Sequence, residues 1–448
     1  MQSFEINKDD LLRVKQALEG TDEDLVKALE EYHASEIANL CGKLSPEERE
    51  RIVNALPSDI ASEVLAEMSE EHHPEEILFN LDPEKRSEIV EELDYDDAAD
   101  LISQMDEEDQ EEIQENLDEE DASNIRNLLS YDEDTAGGLM NTEIIKVNIN
   151  LTKKEALDEI IRQSEEMDDF YIYVVDDDDV LQGFLSVKEV LKSRMDVHVT
   201  DMVNRDIVYV KAEMDQEEVA RLFSQYNLTS IPVVNDDVKL LGRISVDDII
   251  DVLQEESTED ILKIAGVSED EELGGTWQDA IRSRLPWLII NLGTAFLAAS
   301  VIRSFDATVS KLVILSSYMT IIAGMGGNAA TQALAVTVRR ISLIDLSDHQ
   351  AYVTVFKEFL VGTINGASNG LIVFAIAVFY DHNPKLGLVL FLSMTGNLLI
   401  AGLAGSSIPL LLKRVGIDPA VASSIIITTF TDCFGFLLIL GLASKFLL

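Results

Sequence analysis

Apolar residues follow three different rhythms along this chain, and each rhythm predicts a different kind of element. Over the first 130 residues, Leu44, Leu56, Met68, Leu81, Leu93, Met105, Leu117 and Leu129 recur every 12 residues, with one interval of 13. Most of these anchors are followed by a residue suited to start a helix (Ser45, Pro57, Ser69, Asp82, Asp94, Asp106 and Asp118), and Pro46 and Pro83 suit a first helical turn. Eight positions past the anchor, apolar residues return at Ile52, Val64, Ile89, Leu101, Ile113 and Ile125. A start signal every twelve residues predicts many short helices, since caps and prolines would interrupt the heptads of a coiled coil. Helices this short cannot bury their faces alone, so they are expected to stack as an all-α superhelical solenoid over 1–130.

The second rhythm begins after the small-residue run Thr135-Ala136-Gly137-Gly138, which reads as a linker. From 140 to 256 the pattern is strand, helix, strand, strand, helix, and then the same again. YVVD at 173–176 matches PVVN at 232–235, and GFLSVKEVL at 183–191 matches GRISVDDII at 242–250, both offset by 59 residues. Thr152 with Glu155, and Asp215 with Glu218, have the spacing of capping boxes; turns are expected at Asp176–Asp179 and Asn235–Asp237. The pair resembles tandem CBS domains, about 140–195 and 199–256 within a region 131–256. The strand-to-helix corner of that family reads Gly-x-(apolar)-Ser/Thr-x-x-Asp, here Gly242, Ser245 and Asp248, with Glu189 in place of the acid after Gly183 and Ser186 in the first copy. The resemblance implies an adenine nucleotide such as ATP as a ligand of that corner.

The third rhythm is five apolar runs long enough to cross a bilayer, at about 286–304, 311–338, 353–379, 386–412 and 420–445. Arg282, Arg284, Arg339, Arg340, Lys357, Lys413 and Arg414 flank one side of these spans, against Arg303, Lys311, Lys385 and Lys445 on the other. That bias predicts a plasma-membrane protein with a cytoplasmic N-terminal half and, after five spans, an extracellular C-terminus. No basic segment followed by an apolar run opens the chain, so no signal peptide is expected.

Charge divides the chain at the same place. Residues 286–448 hold 9 Lys/Arg and 7 Asp/Glu; the totals of 34 and 84 then leave 25 basic and 77 acidic residues in 1–285, a net charge of −52. Such a polyanion excludes nucleic acid as a partner and attracts divalent cations. The acid concentrates in 246–272, where eleven residues are acidic. Asp247, Asp251, Glu255 and Glu259 stand four apart, flanked by Asp248, Glu256 and Asp260, and like charges at that spacing destabilise a helix by a few tenths of a kcal/mol per pair. The run leads straight into the membrane part, which points to a divalent-cation sensor; oxygen-only, water-rich coordination favours Mg²⁺. Cys41 and Cys433 make neither a disulfide framework nor a metal spacing, consistent with a reducing compartment.

Inside the spans one carboxylate stands out. Asp432 lies near the middle of the last apolar run, where an ionised group costs roughly 2.5–3.5 kcal/mol on insertion scales and normally faces a wet cavity or a partner. Ser424, Thr428 and Asp432 recur every fourth position and share one stripe of a helix. Packing within the bundle is the plainer role for Asp432, but that run holds no Lys or Arg to pair with it before Lys445. In the second span, GMGGNAATQ places Gly324, Asn328 and Gln332 on one face, and Gly362, Gly366 and Gly370 in the third predict a close-packing face. With Thr331, Thr428 and Thr429, these residues would give an oxygen-lined path. No nucleophile–base pair, catalytic-metal spacing or phosphate loop of the GxxxxGK[ST] type is present, so an enzyme is not expected.

Taken together, the acidic helical start, TAGGLM at 135–140, the CBS pair, TEDILKIAGVSEDEE running into RLPWLIINL, GMGGNAATQ, and DPAVASSIIITTFTD resemble the MgtE family of magnesium channels over nearly the whole chain. The family resemblance implies a multi-domain architecture: acidic N-domain, CBS pair, a connecting plug helix (257–285) and a five-helix transmembrane domain (286–448). It implies a homodimer in the lipid bilayer with the pore between protomers, Asp432 at the ion site and Asn328 near its cytosolic end. It implies that cytosolic Mg²⁺, both permeant and regulatory, closes the pore by bridging the domains through the plug helix and Asp418, with Asp59, Asp96 and Asp100 as N-domain ligands. Two other functions are consistent with the residues alone: a carrier for Co²⁺, Ni²⁺ or Mn²⁺, and a membrane-anchored adenine-nucleotide sensor.

Overall fold

The structure is a computed structural model that describes residues 8–163, 171–268, 276–343, 348–422 and 424–448. The chain forms two compact units, Met1–Leu253 and Gln254–Leu448. The first unit opens with ten short α-helices, from Lys8–Leu18 to Glu119–Leu128. Several begin as the sequence predicts: Ser45 and Glu48 cap Pro46–Ala55 reciprocally, and the Asp118 carboxylate accepts from the amides of Glu120 and Asp121. Helices two apart in sequence pack together, so the chain zigzags between two layers. Leu44, Leu56, Met68, Leu81 and Leu93 are buried between them, as are Ile52, Val64 and Ile89. Asp82, Asp94 and Asp106 hold the same starting position without a side-chain cap bond, which leaves their carboxylates for other work.

Two three-stranded sheets follow. In the first, Lys146–Asn148 runs parallel to Tyr171–Val175, which pairs antiparallel with Leu181–Ser186; in the second, Val210–Lys211, Ser230–Val234 and Leu240–Ser245 repeat the arrangement. The registers correspond across the 59-residue offset (Tyr171 opposite Ser186, Ser230 opposite Ser245), including a bulge at Val174/Val175 and at Val233/Val234. Thr152 and Glu155 make the expected capping box. Asp215 instead caps through the amide of Glu217 (3.0 Å), and Glu218 turns to Arg221 (3.1 Å).

The run Thr135–Gly138 is not a free linker. Ala136 donates to the Met214 carbonyl (2.7 Å), Gly137 to Ala212 (2.8 Å), and Asn141 exchanges main-chain bonds with Arg243 (2.8 and 2.9 Å). Small residues here let the backbone lie along the second copy, so the composition shift marks close approach rather than flexibility. The acidic helix also starts earlier than the domain boundary at 257 suggests. It runs Val246–Ala265, directly from the strand Leu240–Ser245, so its first turns belong to the first unit and the rest to the second. Part of its expected extension to 272 lies outside the described residues. Residues from Trp277 onward are already the first membrane helix, because Asp279, Arg282 and Arg284 ride on a helical extension that an apolar count leaves out.

Among the described residues of the second unit, five helices have the length and apolar character to cross a membrane: Trp277–Ser304, Leu315–Leu343, Asp348–Tyr380, Pro384–Arg414 and Ser424–Phe446. A short helix, Asp306–Lys311, stands where the second run was expected to begin, and a 3₁₀ turn, Pro419–Ala422, precedes the fifth. The fourth helix is the centre of the unit and packs on the second, third and fifth. Its seam with the third is the predicted glycine row. A Cβ on Gly362 would lie 2.5 Å from the Leu398 carbonyl oxygen, one on Gly366 2.8 Å from Thr395 Cα, and one on Gly370 2.9 Å from the Phe391 carbonyl oxygen. Backbone against backbone leaves no room for a side chain. Gly366→Val should therefore cost about 1–3 kcal/mol, the usual range for overpacking, seen as a lower thermal midpoint of the detergent-solubilised protein; Gly366→Ala should cost less, and an unchanged midpoint in both would mean the seam is looser than this geometry.

Candidate functional site

Within the second unit, the second and fifth membrane helices face each other across a cavity of 990 Å³. Asn328, Thr331, Thr428 and Asp432 line it, together with Gly324 and Gly327. The fourfold spacing of Thr428 and Asp432 thus does place them on one wall, opposite the GMGGN segment. The walls are close: a Cβ on Gly327 would sit 2.9 Å from the Thr428 methyl. Thr429 is not part of the lining; its hydroxyl donates back to the Ile425 carbonyl (2.7 Å), the ordinary fate of a helical threonine. The side chain of Ser424 lies outside the described residues.

The end of the acidic helix contributes Ile261, Ile264 and Ala265 to the same lining. Ile264 also packs with Ala330, Leu334, Ala420 and Ile427, so the helix tip is seated in the membrane unit by apolar contact. Polar contacts hold its acidic side. Lys263 pairs with Glu259 one turn earlier and with Asp418 (2.8 Å), whose other oxygen accepts from the Ala420 amide (2.8 Å). Asp260 accepts from the Ser342 hydroxyl (3.2 Å); burial first, then Asp418, pushes its carboxyl up, while Ser342 and Arg339 pull it back. Glu255 is exposed and Glu256 half-buried on the preceding turn. Glu259 and Asp418, expected as cation ligands, therefore share a lysine. Lys263 lies inside the acidic run 246–272, and its sequence position alone does not reveal it as the partner of Asp418.

A second acidic site lies in the first unit. Asp94, Asp96 and Asp97, at the start of the helix Tyr95–Ser103, bring one carboxylate oxygen each within 4.8 Å of one another. Burial first, then Asp97, Asp248, Asp94 and Asp100, pushes Asp96 well above the usual carboxylate range, and its buried Oδ1 has no hydrogen-bond donor. Asp97 is pushed up to about 7, again by burial first and then by Asp94, Asp248, Glu67 and Asp247. Asp248 is raised by burial although Ser245 donates to it twice (2.6 and 3.0 Å), and Asp251 by partial burial, Glu67 and Asp247. Oxygen-only donors, converging charge and an orphaned buried acceptor fit a hard dication. Of the ligands named from the sequence, Asp96 is in this cluster, and Asp247, Asp248 and Asp251 belong to the surrounding set of mutually repelling acids; Asp94, Asp97 and Glu67 are not among those named ligands. Asp100 lies exposed at its edge. Asp59 is exposed at the first turn of Ser58–Ala66 and is not among the gathered carboxylates.

At the suspected nucleotide corner the two glycines lie against the chain's own backbone. A Cβ on Gly242 would lie 2.5 Å from the Asn141 carbonyl oxygen, and one on Gly183 2.2 Å from that of Asn204. Each copy thus receives an adjoining chain segment at the same glycine, while Ser245 and Asp248 bond to each other at the start of the acidic helix.

Comparison with known proteins places these features together. A family profile described as a divalent cation transporter matches residues 319–442, one for the MgtE intracellular N domain matches 32–134, and the CBS domain profile matches 136–196 and 199–255. The magnesium transporter MgtE of Thermus thermophilus is 33% identical over 434 residues, covering 95% of each chain. That of Enterococcus faecalis is 36% identical over 324 residues, 72% of this chain and 71% of the relative. A solved cytosolic domain of the Mg²⁺ channel MgtE in complex with ATP aligns with a TM-score of 0.51 at 35% identity, covering 54% of this chain and 99% of that one. The soluble part of a magnesium transporter aligns with a TM-score of 0.51 at 26% identity, covering 56% and 99%. With one relative aligned along 95% of its length, this chain belongs to the MgtE family of magnesium transporters: a multi-pass membrane protein with an acidic helical N-domain and a CBS pair, and not an enzyme.

Proposed function

We propose that the chain forms a homodimeric, Mg²⁺-selective channel whose acidic cytosolic half responds to the ion that it conducts. The observation that carries this is the membrane cavity, in which Asp432 is the only carboxylate among the described lining residues and Asn328, Thr331 and Thr428 add neutral side-chain oxygens. Mg²⁺ sheds water reluctantly, so these oxygens suit contact with its hydration shell, and an oxygen lining disfavours softer metals. The first span supports a dimer: 6% of its most apolar window is buried, leaving a long face for lipid and a second copy. The excess of Arg and Lys on one flank of the spans supports a cytoplasmic N-terminal half and an extracellular C-terminus. With that orientation a dication moving inward gains about 5 kcal/mol per 100 mV, at ~2.3 per charge.

Closure, in this scheme, is the docking of the acidic helix. Its tip residues Ile261, Ile264 and Ala265 line the cavity, and its charged side is held by Lys263 and Ser342. The carboxylates of Asp94, Asp96, Asp97 and Asp248 are the ion-sensitive part: without a cation they repel, and a bound dication supplies the positive charge that they lack. Adenine nucleotide is a further ligand of the CBS pair, on the similarity to the ATP-bound MgtE cytosolic domain.

Three outcomes test this. In proteoliposomes, Asp432→Asn should lower Mg²⁺ flux roughly tenfold or more, each tenfold being ~1.4 kcal/mol, and normal flux would remove Asp432 from the path. The second concerns pH. The raised carboxyl of Asp97 binds its proton more tightly in the fold than the ordinary value of about 3.9 allows in the unfolded chain. The metal-free acidic contact is therefore most stable below about pH 4 and loses that stability as pH rises through about 7. Mg²⁺ binding to the full-length protein at pH 6 should accordingly release protons, measured as a buffer-dependent heat in calorimetry, and Asp97→Asn should reduce that release; a buffer-independent heat would place the ion elsewhere. The third concerns Lys263. Lys263→Met leaves Glu259 and Asp418 facing each other without an ammonium, so amide exchange of residues 254–265 in chelator should quicken roughly tenfold, in line with the 1–3 kcal/mol of an orphaned polar group. Lys263→Arg should keep the protection, and equal exchange in all three proteins would show that the apolar seat alone holds the helix.

A further inference from the structure

One fully buried polar side chain of the membrane unit stands behind the cavity without lining it. Asn397, in the fourth span, is fully buried, and its Nδ2 donates to the Ile322 carbonyl of the second span (2.9 Å). Its Oδ1 is equally buried and meets no donor. An orphaned acceptor in an apolar interior is costly, and leucine would fill a comparable volume without that cost. The two neighbouring backbones explain why a thin planar group is there. A Cβ on Gly326 would come within 2.2 Å of Nδ2, and one on Gly435 within 2.9 Å of it. The carboxamide is thus held between a glycine of the second span and a glycine of the fifth.

Those two glycines flank the polar residues of the cavity. Gly326 stands two residues before Asn328, and Gly435 three residues after Asp432. Gly327, next along, is already against the Thr428 methyl. The distance between the two walls is therefore set at two places: directly at Gly327 and Thr428, and behind the cavity through Asn397. Asn397 also donates across to the backbone of the second span, at a carbonyl one turn before Gly326.

We propose that Asn397 is the positioning residue of the ion path: its carboxamide, wedged between Gly326 and Gly435 and tied to Ile322, fixes the separation of the Asn328 wall from the Asp432 wall. The proposal rests on the transport function assigned above to that cavity. A hydrated dication held by a few oxygens is sensitive to their spacing, so loosening the wedge should lower both flux and the preference for Mg²⁺ over a larger dication.

A four-protein cycle separates positioning from simple space-filling. The unsubstituted protein, Asn397→Ala, Gly326→Ala and the double variant are compared for thermal midpoint in detergent, and for Mg²⁺ and Mn²⁺ flux in proteoliposomes. Gly326→Ala alone should lower the midpoint, because its methyl meets Nδ2. In the double variant the midpoint should recover, because the methyl then enters the space that the carboxamide left. Asn397→Ala and the double variant should both show Mg²⁺ flux about tenfold lower and a Mg²⁺-to-Mn²⁺ flux ratio several-fold lower. Normal flux and ratio in Asn397→Ala, or their recovery in the double variant, would overturn the proposal by showing that only volume matters. Absence of Mg²⁺ flux from the unsubstituted protein would overturn the transport function as well, while the midpoints would still report whether Asn397 and Gly326 are coupled.

Discussion

A carboxylate taken out of water must keep its proton or be met by positive charge, and this chain places that demand at three points. Asp432 faces a cavity in the membrane unit. Glu259 and Asp418 meet an ammonium, that of Lys263. Asp96 and Asp97 lie among other acids, with burial as the largest cause of their raised carboxyls. A net charge of −50 spread over 448 residues would by itself only keep the chain soluble. Gathering that charge at a few partly buried points makes it responsive, because desolvation and mutual repulsion together shift the balance between proton, cation and separation.

The fold supplies the gathering by simple means. A helix begun by an aspartate whose side chain makes no cap bond leaves that carboxylate at the positive end of the helix, where it is tolerated. Asp94, Asp96 and Asp97 share one such start. Asp247, Asp248 and Asp251 occupy the start of another, and Asp248 is fixed there by Ser245. The same helix, Val246–Ala265, continues without a break from the last strand of the CBS pair to the residues lining the membrane cavity. Its covalent continuity is what lets one element carry charge at one end and an apolar tip at the other.

Local signals were legible in the sequence, and contacts between distant residues were not. The twelve-residue spacing reports helix starts because caps and anchors act within one turn, and the 59-residue offset reports a duplicated module because each copy repeats its own register. The glycine row Gly362, Gly366 and Gly370 announces a tight seam without naming Leu398 or Thr395 on the other side. Asp97 had no spacing signal of its own, since its environment depends on Glu67 and Asp248, far from it in the chain. Only the run Asp94-Tyr95-Asp96-Asp97 hinted that acid was concentrated at one helix start. Lys263 was visible inside the acidic run, but its partner Asp418 lies far along the chain. Asn397 sits in a segment whose Thr395-Gly396-Asn397 composition reads equally well as packing, and its role depends on glycines from two other helices.

The contrast between Lys263 and the Asp94–Asp97 cluster separates fixed contacts from switchable ones. An ammonium carried on the chain is present at every ion concentration, so the Glu259–Lys263–Asp418 contact needs no cation from solution once the helix tip is docked. Asp96 and Asp97 have no such resident partner among the influences that shift them; at Asp248, Arg243 acts only as a minor opposing charge. In the proposed function their neutralisation comes from solution, as protons or as a dication, and the two compete for the same oxygens. With Asp97 pushed up to about 7, the cluster is poised where that competition is most even, so small changes in free cation move it furthest. Replacing one of these acids by a lysine would make the contact permanent, and the same charge that holds Lys263 in place would then silence the response.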